Sequence, residues 1–154
     1  MKKLDVDSEQ IIQRHGWAVQ SVFADPEADE PSFSYSIGLC QKGLPELIVL
    51  GLPHPLASEL LHILARRLMD MGQDYKSLVG IVDVGFNVPV FLHPCRAEDV
   101  KDYALRAIHR GGPKISFLQV CFPNPQGKFA WEVGFEGHPK LYRILGEPVA
   151  VTRH

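Results

Sequence analysis

Apolar and polar positions change period several times along this chain, and each change marks an element. Phe33-Ser34-Tyr35-Ser36-Ile37-Gly38-Leu39 alternates cleanly, with Phe33, Tyr35 and Ile37 on one face and the small residues on the other. That is the period-two signature of a strand. Gln41-Lys42-Gly43-Leu44-Pro45 is a turn, and Glu46 to Leu52 is then almost continuously apolar, as expected of a strand covered on both faces. So short a connection predicts an antiparallel hairpin. Upstream, Trp17 to Phe23 reads as another strand. It follows a short helix with Asp7 and Gln10 at capping-box spacing and Gly16 at its end.

Helical spacing takes over at Pro55, where Leu56, Leu60, Leu64, Leu68 and Met71 form a stripe that ends at Gly72. One apolar side of this helix, widened by Ala57, Leu61 and Ala65, is expected to lie on the sheet. Val82 to Cys95 holds one or two strands, with Pro89 suggesting an edge or a bulge. Ala97 to Arg110 returns to helical spacing and stops at Gly111-Gly112-Pro113. Ile115 to Phe122 is a further strand, and Phe129-Ala130-Trp131-Glu132 reads as a last short one after the turn at Pro123-Asn124-Pro125. Strands in hairpin-length succession, interrupted by two helices, predict an α+β fold: an antiparallel or mixed sheet of five or six strands, a long helix across one face and a second, shorter helix.

Composition adds mainly exclusions. The 154 residues fit one domain, 1–154, and an apolar fraction of 45% with 22% charged residues is that of a globular chain. A net charge of -2 gives no electrostatic case for nucleic acid or an anionic membrane. Met1-Lys2-Lys3-Leu4-Asp5 leads into polar residues and not into an apolar h-region, and no apolar run approaches the roughly 20 residues of a membrane span, so the expected setting is cytoplasmic. Cys40, Cys95 and Cys121 are widely spaced and odd in number, which suits reduced, packed thiols.

Gly16-Trp17, the hairpin from Phe33 to Leu52, Leu118-Gln119-Val120 and Gly127-Lys128-Phe129-Ala130-Trp131-Glu132 together resemble the bacterial family catalogued as domain of unknown function 4262. The resemblance covers about residues 16–132 and leaves 133–154 as a C-terminal extension. Cys121-Phe122 stand where the family pattern has valine and tryptophan, and Ala130 where it has proline. The resemblance implies a bacterial cytoplasmic protein with no assigned activity, and it carries over no catalytic residue.

The residues themselves offer few complete chemistries. Ser36 lacks the glycine two positions earlier that a nucleophile elbow needs, and a strand follows it instead of a helix. His93-Pro94-Cys95 sets an imidazole and a thiol close together as an alternative reactive pair, without a third group to orient the ring. No CxxC or HxxxH pair occurs, so no metal is expected. The acidic run Asp25, Glu27, Asp29 and Glu30 misses the calcium-loop pattern, and neither GxxxxGK[ST] nor GxGxxG is present, so no cofactor is expected.

What remains is a set of polar and aromatic groups on core strands: Tyr35, Ser36, Glu46, Gln119, Trp131 and Glu132. A buried amide such as Gln119 must be hydrogen-bonded or face a cavity, so these groups either converge on one pocket or serve the fold. The expected function is a binding or regulatory module for a small ligand or a protein partner. The alternative is a small hydrolase-like enzyme using a His/Cys or carboxylate site. An unpaired edge strand leaves homo-oligomerisation open.

Overall fold

The computed structural model describes residues 6–23, 27, 30–112 and 114–149, with side chains from Ser8 onward. The proposed cap at Asp7 and the acidic residues Asp25 and Asp29 therefore lie outside the described side chains. The chain forms a mixed six-stranded sheet in the order β1-β2-β3-β6-β5-β4. Its strands are β1 (Ala18–Val22), β2 (Phe33–Ile37), β3 (Glu46–Leu50), β4 (Gly80–Val82), β5 (Val90–Arg96) and β6 (Ser116–Cys121). All neighbours are antiparallel except the central pair, β3 and β6. The helices are α1 (Val6–His15), α2 (His54–Met71) and α3 (Leu105–Gly111).

Every residue of β3 is buried because both of its faces are covered. Leu47 and Val49 join a cluster with Leu60, Leu61, Leu64 and Leu68 of α2. Ile48 and Leu50 join a second cluster with Tyr35, Phe117, Val100, Ala107 and Leu145. The continuous apolar run and the hairpin are thus as the sequence predicts. So is the turn at Gly16, whose φ of 95° requires glycine and whose N–H closes α1 on the Ile12 carbonyl at 2.8 Å. A bidentate ion pair from Arg110 to Glu9 ties α3 to α1.

Four expectations are corrected. Leu56 is 39% exposed, because it sits in the first turn of α2, and Ala57 takes the inward position there. The second helix is broken: a 3-10 turn covers Ala97–Val100, Ala104 is non-helical (φ -92°, ψ 49°), and α3 begins only at Leu105. The break keeps Val100, Ala104 and Ala107 in one cluster and packs Tyr103 edge-on against Phe33. Pro89 precedes β5, which is an interior strand, so it marks neither an edge nor a bulge. Finally, Phe129 to Glu132 is a turn. Its apolar alternation comes from Phe129 and Trp131 stacking on each other at 4.9 Å, with Phe91 packed edge-on against both. Stacked rings two residues apart imitate the period of a strand.

Candidate functional site

Ser36 and Glu46 are brought together, at the turn between β2 and β3. The Glu46 side chain is fully buried and accepts the Ser36 hydroxyl at 2.8 Å and the backbone N–H groups of Gly38, Leu39 and Cys40 at 2.8–3.2 Å. Ser36 in turn accepts the Leu47 N–H at 2.8 Å. Burial pushes the Glu46 carboxyl up, and the hydroxyl and backbone donors draw it back. Gly38 is required here: its φ is 115°, and a Cβ would stand 2.9 Å from the Gly16 carbonyl oxygen. The carboxylate caps the 3-10 helix Leu39–Lys42 and closes the hairpin. With its acceptors engaged by the fold, it is not presented to a ligand.

Tyr35 and Gln119 share the face of the sheet that carries Ile48, each flanking it in the ladder, about 10 Å apart. Burial raises the Tyr35 phenol, and the backbone of Arg106 hydrogen-bonds it. The Gln119 amide grips the C-terminal segment: Nε2 donates to the Arg143 carbonyl at 2.6 Å and Oε1 accepts the Leu145 N–H at 2.8 Å. Gln119 and Trp131 line one cavity of about 10 Å³, room for roughly one water. Glu132 is exposed and accepts the Phe129 N–H at 2.9 Å. It does not line that cavity.

His93 and Cys95 lie on one face of β5 but do not bond to each other through their side chains. The Cys95 thiol donates to the backbone carbonyls of His93 and Leu145, and burial pushes it up to about 12. A thiol so placed is a poor nucleophile. The His93 ring is buried, and its Nε2 has no hydrogen-bond partner among the described residues. Among the described residues, no group of three or more His, Cys, Asp or Glu is placed to hold a metal ion.

A more open site lies where β1 ends, β2 begins and α2 starts. Ser34, almost fully buried, meets Ser21 Oγ at 2.8 Å, and Ser21 Oγ also meets His54 Nδ1. The serines face each other because Ser21 and Ser34 are ladder partners. His54 opens α2 just after Pro53, which fixes the imidazole at the helix N-terminus. Around this chain of three groups is a cleft of about 570 Å³ lined by Val22, Phe23, Phe33, Leu52, Pro53 and Leu141, among others. Phe23 is 73% exposed and packs edge-on against His54. Gly51, at φ 85°, admits Leu141 as one wall; a Cβ there would meet Leu141 at 3.1 Å.

Sequence reasoning missed this site because Ser21, Ser34 and His54 are far apart in the chain. The available signal was two serines on facing strands, which says nothing of a histidine two elements later.

The family model described as Domain of unknown function (DUF4262) matches residues 11–136. The chain belongs to this family. No curated protein and no solved structure matches it. The DUF4262 segment takes in Ser21, Ser34, His54 and the Ser36–Glu46 latch. Leu141 lies beyond it, so one wall of the cleft comes from outside the matched segment, and the rest of the lining from within it.

Proposed function

We propose that this domain is a small-ligand-binding module whose ligand enters the cleft between β1, β2 and the start of α2. The observation that carries the reading is the Ser34–Ser21–His54 chain opening into a mostly apolar cleft. Its volume falls within the roughly 300–1,000 Å³ of small-molecule sites, and a few convergent polar groups in an apolar lining is their usual composition. Val22, Phe23 and Leu141 are large apolar residues left exposed together here, which a bound ligand would cover. The cleft also stands beyond the carboxyl end of β3, one of the two parallel strands, where ligands of open sheets commonly bind.

The preferred ligand has an apolar body and one hydroxyl, amide or ester group that exchanges hydrogen bonds with Ser21 and His54. NMR titration of the imidazole signals with small apolar alcohols, amides and esters tests this. Saturable shifts at His54 that disappear in Ser21→Ala are expected; no shift at His54 with any probe overturns the reading.

The Ser21–His54 hydrogen bond favours a second reading, acyl transfer with Ser21 as nucleophile and His54 as base. Against it, no carboxylate hydrogen-bonds His54 among the described residues. A fluorophosphonate probe separates the two: covalent labelling of Ser21 in wild type, lost in His54→Phe, supports the enzyme, and an unlabelled Ser21 leaves binding.

A further inference from the structure

A second cleft, of about 600 Å³, lies where α1 ends against the middle of α2, lined by Arg14, His15, Trp17, His62 and Arg66. We propose that this cleft is a binding site for a phosphate group, carried as a phosphate monoester or as inorganic phosphate. Two guanidinium groups and two imidazoles line it, and no carboxylate does. Among the described residues neither Arg14 nor Arg66 forms an ion pair, whereas Arg110 and Arg96 both do. Arg14 and His15 in the last turn of α1 also suit its helix dipole. Arg66 lies inside α2, so the dipole gives no reason for its facing the same space.

The Trp17–His62 contact orients the donors. The indole N–H can only donate, and it donates to His62 Nδ1 at 2.9 Å. The neutral imidazole must therefore carry its proton on Nε2, which has no protein partner among the described residues. Burial first, then Arg66 and His15, lower the His62 pKa and hold the ring in that neutral form. An anion would accept a hydrogen bond from the Nε2–H and offset the positive charge that Arg14 and Arg66 bring to the cleft. Guanidinium forks suit tetrahedral oxyanions, which can take two N–H bonds from each. With a net charge of -2 over the chain and only two guanidinium groups in the cleft, a small anion is favoured over a nucleic acid.

The full chain carries two tryptophans, so Trp131→Phe leaves Trp17 as sole reporter beside the site. Its fluorescence is followed during titration with inorganic phosphate and with phenyl phosphate, against sodium chloride at matched ionic strength. A saturable change with either phosphate, absent with chloride, is expected, together with binding heat in wild type. Tighter binding of phenyl phosphate assigns the site to monoesters; equal binding assigns it to free phosphate. Arg14→Gln and Arg66→Gln are each expected to weaken binding roughly tenfold or more. Both residues are exposed, so neither change should lower the melting temperature. Arg66→Lys, which keeps the charge and removes the fork, should fall between. Chloride reproducing the signal, wild-type affinity in both glutamine variants, or no saturable response and no heat would each overturn the proposal.

Discussion

Gln119 holds Leu145 against the sheet through its side-chain amide, accepting the Leu145 N–H at 2.8 Å while donating to the Arg143 carbonyl at 2.6 Å. The amide thus does for the C-terminal segment what a neighbouring strand's peptide group would do. Leu145 then completes the cluster over Phe117 and Val100.

Gln119→Leu is accordingly expected to destabilise the protein by about 1–3 kcal/mol, because a buried N–H and carbonyl lose their partner. Urea midpoints measure the loss, and hydrogen exchange at Leu145 should accelerate. Unchanged midpoint and exchange in the variant would mean that the segment is held by something else.

Glu46→Ala leaves three backbone N–H groups of the Gly38–Cys40 turn without an acceptor and should cost about 3 kcal/mol or more. Ser36→Ala removes one donor to the carboxylate and one acceptor for Leu47, with an expected cost of about 1–3 kcal/mol. Ligand-induced shifts at His54 should survive Ser36→Ala. A stable Ser36→Ala protein that no longer binds would move the site to the hairpin.

On α2, Leu60→Ala and Leu64→Ala should each cost about 2–5 kcal/mol, since both side chains are buried between helix and sheet. Leu56→Ala, on the exposed first turn, should stay within about 0.5 kcal/mol. Thermal or urea unfolding of the three variants orders them, and equal losses at Leu56 and Leu60 would contradict the helix's orientation.

His62 gives a pH dependence of definite sign. Its folded pKa lies below the ordinary 6.5 because of burial, Arg66 and His15, so the unfolded chain binds its proton first as pH falls. The stability associated with the neutral ring is whole above 6.5 and declines as pH drops through the lowered folded value. His62→Gln, which still offers Trp17 an acceptor, should lose less stability than wild type between neutral and mildly acidic pH. An equal loss in both proteins would remove His62 as the cause.

The hairpin, β6 and the long helix were legible because their periodicity is set by burial within ten to twenty consecutive residues. Gln119 also announced itself, an amide between Phe117 and Cys121 that had to find partners. Its partners, Arg143 and Leu145, carry no local signal, since a backbone group accepting a side-chain bond leaves no mark on residue type. The same holds for Ser21 and His54, whose meeting depends on how α2 leaves β3. Phe129 to Glu132 misled for the opposite reason: two stacked rings gave a strong local period with no ladder behind it.

Leu141 stands beyond residues 11–136, the part that matches the family model, yet it closes one side of the proposed cleft against Gly51. A different side chain at Leu141 would therefore reshape the opening while leaving Ser21, Ser34 and His54 in place. What the cleft grips and what it admits would then be set by separate stretches of chain, the sheet for the one and the tail laid over the opening for the other.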